Sequence, residues 1–441
     1  MDKPANLDVD AYLVSNGERG PLCEVRVWLP EDPDDDGRID VTAYATLLDD
    51  VNTGIGFSLV SPDGYFQATE LLIRSANSFV DRPIKKTRLQ IEHIGTLSTH
   101  HFLSAAEQID LQLVNEATFL LSQMRYALPK RYWKFDNDEC KIPIHHGTPY
   151  RLPVRHSNGG IYEFELNRYW DWSTSKDYNS VIGKSSPVLV YRNASEKTPL
   201  TILRDCAKDA TLLLSLASRW RVLLYGLVVS SNNSLYKEWQ YPLSRARAKG
   251  IEEAEGRLIQ PSYLERFIES TSERLCQFSK SERDAVALTI FALHPTESSS
   301  IESNLLSRLI ALEMLAQNFG KRHGGINSKI KTLLSAYLPF VSLPLWPITG
   351  EEGGPPGLIN LRHDLAHGWH LSSKVPDALS VASDHAQLWL EYLLLAILGT
   401  HASIHPESRL EGQVIRHGQQ QVDILRNALQ EVGLTGGRML F

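Results

Sequence analysis

The chain has 441 residues, 42% of them hydrophobic and 22% charged, the balance of a soluble globular protein too long for a single core. Its formal net charge of −7 excludes a protein-wide basic field, so any contact with nucleic acid has to be local. The four cysteines, Cys23, Cys140, Cys206 and Cys276, lie far apart without metal or redox spacing, and read as reduced thiols of a cytosolic protein. The first residues, MDKPANLDVD, are polar and acidic and lack a secretory leader pattern, so a cytoplasmic protein is expected. Two apolar runs, 211–230 and 386–398, are interrupted by Arg219 and Arg221 and by Glu391 respectively. Both fall short of the ~20 uninterrupted apolar residues of a membrane span, so buried elements and no membrane are expected.

In chain order, residues 1–195 read as mostly β. Residues 24–29 alternate with period two and break at Pro30 and the acidic turn Asp34-Asp35-Asp36-Gly37. A second strand over 55–60 is closed by Ser61-Pro62-Asp63-Gly64, and further strands are expected over 88–94, 161–166 and 188–191. Their spacing suits a sandwich or a barrel-like sheet. Residues 200–260 form a mixed part: a buried helix over 205–221, a stretch over 222–230 readable as helix or strand, and the basic linker SRARAKG over 244–250.

The main boundary is placed near 260, which divides the chain into a β-rich region, 1–260, and an all-helical region, 261–441. Helices are expected over 261–280, 281–293 and 301–319. The last has an apolar stripe of Ile301, Leu305, Leu309, Leu312 and Leu315 and a Ser299/Glu302 capping box. A helix over 327–338, a Pro/Gly loop over 344–357, a short helix and a long apolar helix over 376–399 follow. An amphipathic helix over 411–433 closes the chain.

The short helix carries Asn360-Leu361-Arg362-His363-Asp364-Leu365-Ala366-His367-Gly368. Leu358, Leu361 and Leu365 make one apolar face, while His363 and His367 share another. Arg362 and His367 stand roughly 140° apart on an ideal helix, so they converge only if the helix unwinds near Gly368.

The run RHDLAHG on a late helix, with Ala311-Leu312-Glu313-Met314-Leu315 on an earlier one, resembles the HEPN superfamily of helical ribonucleases, most closely its ApeA-like phage-defence branch. The resemblance covers roughly residues 261–400. The fold it implies is α+β and multidomain: a β-rich N-terminal region that senses or regulates, followed by a HEPN helical-bundle nuclease. It further implies a metal-independent endoribonuclease without cofactors, acting in antiphage defence or as a growth-arrest toxin. The implied partners are an RNA substrate, a second copy of the chain bound through the helical domain, and a phage-derived trigger on the N-terminal region.

The chemistry fits those residue types. RNA is cut when its 2′-hydroxyl attacks the adjacent phosphate, which needs proton transfer and stabilisation of negative charge. Histidine exists in both protonation states near neutrality, so His367 is the candidate acid/base. The fixed planar cation of arginine binds phosphate oxygens in pairs, so Arg362 is the candidate clamp. His363 would orient the arginine or the substrate, and Asp364 would fix a histidine tautomer or the arginine. Glu313, if the resemblance holds, points to the motif helix and pairs with Arg362 or a backbone donor.

Basic residues elsewhere are candidate RNA contacts: Lys321 and Arg322 after the 301–319 helix, and Arg125 and Arg131 in a run that interleaves cations with aromatics. Two alternatives stay open. His363-Asp364-x-x-His367 also fits a zinc-binding helix, with His385, Asp384 or Glu391 as third ligand. A catalytically silent HEPN module for binding or dimerisation is the other.

Overall fold

The computed structural model describes residues 7–15, 18–28, 38–44, 57–62, 65–81, 84–93, 96–102, 112–122, 130–136, 139–146, 149–174, 181–231, 234–240, 257–294, 300–320, 324–338, 345–350, 357–366, 376–400 and 422–427. Within several of these strands and parts of two helices only the backbone is described. The chain is α+β: a β-rich N-terminal region precedes a set of helices.

Alternation of small or apolar with polar residues builds the first strands. In β2 (Glu18–Trp28) Cys23, Val25 and Val27 are buried while Glu24 and Arg26 face outward, and in β1 (Leu7–Ser15) Ala11 and Leu13 are buried. These strands join β3 (Arg38–Tyr44), β4 (Phe57–Val60), β5 (Phe66–Asp81) and β6 (Ile84–His93) in the antiparallel order β5-β4-β1-β2-β3-β6, and β6 pairs back onto β5. The six strands therefore close into a ring, the barrel-like form the strand spacing suggested, with register shifts in β1 and β5 where the sheet must curve.

β7 (Thr96–Phe102) continues along the same edge of β5 that β6 occupies, because Leu71 pairs with His93 and Ala68 with Leu97. Its outer edge takes a different partner, and the sheet leaves the ring there. It runs on through β17 (Ser234–Gln240), β16 (Leu224–Ser231), β9 (Glu116–Leu121), β14 (Val181–Arg192) and β13 (Ile161–Thr174) to an edge strand, β12 (Tyr150–Arg155). The ambiguous stretch 222–230 is thus strand: it is flanked by β9 and β17, whose pairing satisfies its backbone. Two smaller sheets pair β10 (Lys130–Asp136) with β11 (Glu139–His146), and β8 (Leu113–Val114) with β15 (Thr198–Pro199).

Helix α1 (Leu200–Ser218) covers this second part of the sheet with Leu203, Ala207, Ala210, Leu214 and their neighbours. A 3-10 turn at Pro261–Tyr263 leads into α2 (Leu264–Cys276), followed by α3 (Lys280–Leu293), α4 (Ile301–Phe319), α5 (Ile326–Tyr337), α6 (Leu358–Ala366) and α7 (Pro376–Ile397). The expected helix over 411–433 is described at 422–427, which is helical; the rest lies outside the described residues. The expected cap of α4 differs in register. Ser300, not Ser299, accepts the Ser303 N–H, and the full capping box sits instead at Ser279 and Glu282 before α3.

The change from strand to helix falls near residue 260, yet the buried core runs across it, from Val114 and Phe164 through α1 to Leu361 and Val422. Side chains of α2 also close the free edge of β12. Glu265 Oε1 accepts the Arg151 N–H at 2.9 Å, Ser272 Oγ accepts the Arg155 N–H at 3.0 Å, and the Cys276 thiol donates to the Arg155 carbonyl at 3.1 Å. An edge strand otherwise offers unpaired backbone groups to other chains, and here a helix consumes them. Among the described residues no helix is long and apolar enough to cross a membrane.

Burial pushes the Cys206 thiol up to about 12, helped by the charge of Asp209, and the Cys23 thiol up to about 11. Little thiolate forms at such values near neutrality. Iodoacetamide at pH 8 is expected to spare both in the folded chain and to modify both after denaturation, read by mass spectrometry. Rapid native labelling of Cys206 would show that α1 opens more readily than its burial implies.

Candidate active site

Helix α6 is built into place from its N-terminal side. The Trp346 N–H donates to Nδ1 of His385 at 2.7 Å, and the Trp389 indole N–H donates to the Trp346 carbonyl at 2.9 Å, which ties this segment to α7. The next two carbonyls, of Pro347 and Ile348, accept the N–H groups of Leu358 and Ile359 at 2.9 and 3.0 Å. Two of the donors a helix start leaves open are therefore satisfied by backbone rather than by a side-chain cap. The approach requires glycine at 357, where a Cβ would lie 2.3 Å from the Gly350 nitrogen. The Gly357 N–H in turn donates to Asn360 Oδ1 at 2.9 Å.

Leu358, Ile359, Leu361 and Leu365 bury one side of α6. Arg362 falls four residues after Leu358 and three before Leu365, on the flank of that face rather than opposite it. On α4 the buried stripe is Leu305, Leu309, Leu312, Leu315 and Ala316; Ile301, expected to belong to it, is 42% exposed. Glu313 flanks this stripe in the same way. When α4 and α6 pack, the two flanks meet at the rim of the seam, and Glu313 Oε1 lies 3.1 Å from Arg362 Nε.

This is an ion pair rather than an aligned hydrogen bond: Arg362 Nε is shielded from solvent and has no hydrogen-bond partner. The Glu313 side chain is 15% exposed and that of Arg362 41%. The arginine is thus held from one side and open on the other, an arrangement suited to receiving an anion.

A separate buried polar network joins α4 to α7 and to the end of α1. Arg308, on α4, donates to the Ser383 carbonyl and hydroxyl at 2.9 and 2.7 Å and to Gln387 Oε1 at 2.6 Å. Gln387 donates to Glu391 Oε1 at 3.1 Å. Glu391 accepts two bonds from the guanidinium of Arg219, the left-handed residue that ends α1. Arg219 and Glu391 are each 1% exposed. Sequence reading missed Arg308 as part of this network, although an arginine inside an apolar stripe is a signal of a buried partner.

Glu391, a candidate third zinc ligand by sequence, is committed to Arg219 on both oxygens. Nδ1 of His385 is occupied by the Trp346 N–H. Among the described residues no group of three or more His, Cys, Asp or Glu is placed to hold a metal ion.

Of the residues singled out by sequence, the structure brings Arg362 and Glu313 together. His363 and Asp364 are on α6, described by backbone alone, and the helix is assigned as far as Ala366, one residue before His367. His367, Lys321, Arg322 and Arg125 lie outside the described residues. Arg131 is on β10, at a register position opposite His145. Comparison with family models, with curated proteins and with solved structures found no match to this chain.

Proposed function

We propose that this chain is a metal-independent endoribonuclease of the HEPN type. The observation that carries the reading is the ion pair between Glu313 of the LExL segment and Arg362 of RHDLAHG. In this reading Arg362 receives the scissile phosphate and neutralises the charge that builds on its oxygens. His367 moves the proton, between the 2′-hydroxyl and the leaving 5′-oxygen. Glu313 orients the guanidinium from behind, His363 orients it or the substrate, and Asp364 fixes a histidine tautomer or the arginine.

One chain supplies one Arg362 and one His367, whereas the reaction needs an acid, a base and charge stabilisation. A two-fold axis through the motif helices supplies all three from one motif, so the active form is a homodimer. The role that follows from the resemblance is antiphage defence or growth arrest in the cytoplasm, with the β-rich region receiving the trigger.

Incubated with total RNA, the purified chain is expected to cleave in EDTA and to leave 2′,3′-cyclic phosphate and 5′-hydroxyl ends. His367→Ala should lower the rate by about 10²–10⁴-fold, and light scattering of the active form should give the mass of a dimer. Stoichiometric zinc, with loss of activity in chelator and equal damage from His363→Ala, would turn the assignment to a metallohydrolase. A folded dimer that cleaves no RNA once triggered would make the helical region a binding module.

A further inference from the structure

Helix α3 buries Ala285, Val286, Thr289, Ile290 and Leu293 and turns Asp284, Leu288 and Phe291 outward. These three recur at i, i+4 and i+7, so they form one stripe about 10 Å long. Leu288 is 48% exposed and Phe291 39%. At the C-terminal end of the stripe, Arg221 from the turn after α1 lays its guanidinium over the Phe291 ring, with Cζ 5.3 Å from the centroid.

The two ends of the stripe carry opposite charges, and neither is matched within the chain. Arg221 is half-buried, its Nε is shielded from solvent without a hydrogen-bond partner, and burial pushes its pKa below the usual arginine value. The charges of α1 are otherwise engaged: Asp205 pairs with Lys208, and Asp209 with Arg283 of α3. Arg221 and Asp284 form no ion pair among the described residues. The ring of Phe291 recovers part of what Arg221 loses in leaving water, and a carboxylate recovers more.

We propose that this stripe is a self-association surface, on which α3 of a second copy packs antiparallel about a two-fold axis near Leu288. Such a contact needs a surface that is its own complement: where i meets j, j meets i. Asp284 lies about 6 Å along the helix to one side of Leu288, and Phe291 about 4.5 Å to the other. Antiparallel packing therefore sets Asp284 of each copy beside Phe291 and Arg221 of the other, with Leu288 against Leu288. Parallel packing would set Asp284 against Asp284. Arginine and aromatic side chains are frequent anchors of protein interfaces.

The contact is a single helix stripe, so it belongs with weak, reversible interfaces. It uses none of the residues assigned to RNA cleavage. Combined with a two-fold axis through the motif helices, it carries assembly past two copies, to a closed tetramer or an open chain.

The test is sedimentation of the full-length protein over a range of concentrations. Asp284→Arg and Arg221→Glu each set like charges against one another and should weaken association at least about tenfold. An equimolar mixture of the two variants should regain the parent's association, because each chain then meets opposite charges on the other at both ends.

A purely internal role for Arg221 makes a different forecast. It predicts a lower melting temperature for Arg221→Gln and Phe291→Ala, with association unchanged in Asp284→Arg, and that result would overturn the proposal. A mixture no more associated than either variant alone would also overturn it, as would a parent that is monomeric throughout. If Arg221→Glu fails to fold, the exposed positions decide: Asp284→Arg and Leu288→Asp must each weaken association. A parental dimer whose mass ignores every one of these changes removes this surface and leaves the motif-helix dimer standing. Association regained by the mixture, in a protein that cuts no RNA, would sink the nuclease reading and leave this one intact.

Discussion

Arg362→Ala is expected to lower RNA cleavage by about 10²–10³-fold, the usual effect of removing a donor aimed at developing negative charge. That corresponds to roughly 3–4 kcal/mol. The Glu313 ion pair lost with it is partly open to solvent, where such pairs contribute ~0–1 kcal/mol. A folded variant with a large rate loss therefore reports chemistry rather than packing. Arg362→Lys keeps the charge but not the planar fork, so it should fold like the parent and recover only part of the rate. Glu313→Gln separates the two roles within the pair: a fall in kcat with KM little changed is the result expected of a group that orients the arginine. Cleavage at the parental rate by a folded Arg362→Ala chain would remove Arg362 from the mechanism.

Glu391→Ala is expected to lower folding stability by about 3–5 kcal/mol, because it strands the Arg219 guanidinium inside the protein. Against a usual total of ~5–15 kcal/mol, the urea midpoint should fall far enough to see at once. Arg219→Ala should do the same from the other side. Replacing both by methionine should cost less than either single change, since no charge is then left buried without its partner. A midpoint unchanged in Glu391→Ala would show that water reaches this site.

The same pair bears on how the protein can be divided. A fragment beginning at residue 261 leaves Glu391 behind without Arg219, and strips α2 of the β12 edge that Glu265, Ser272 and Cys276 engage. Toxicity of such a fragment would then measure its folding as much as any restraint by the β-rich region. Control by that region is better tested in the full chain.

Much of the local structure was legible in the sequence because it depends on near neighbours. The limits of α4 follow from an apolar stripe between a serine cap and Gly320, and the buried face of α6 from the spacing of Leu358, Leu361 and Leu365. Residues 222–230 were not legible. An apolar run of that length suits a buried helix or a central strand equally, and only β9 and β17 on either side decide. Ser299 and Ser300 both precede α4, and helix register rather than composition selects the second as cap.

By itself, then, the sequence determined which short periods repeat, alternating strands before residue 200 and apolar stripes after it, and it singled out RHDLAHG as the candidate site. Local backbone geometry imposes those patterns over a few residues, whatever the rest of the chain does. Tertiary structure decided that Glu313, expected to pair with Arg362 or a backbone donor, meets Arg362 at the rim of a helix seam. It also decided that Glu391 serves Arg219, 172 residues away. Each of these depends on which distant surfaces pack together. A strand's alternation marks the face it buries but not its neighbour, and a charged side chain on the flank of an apolar stripe acquires its partner only when a second helix closes over it.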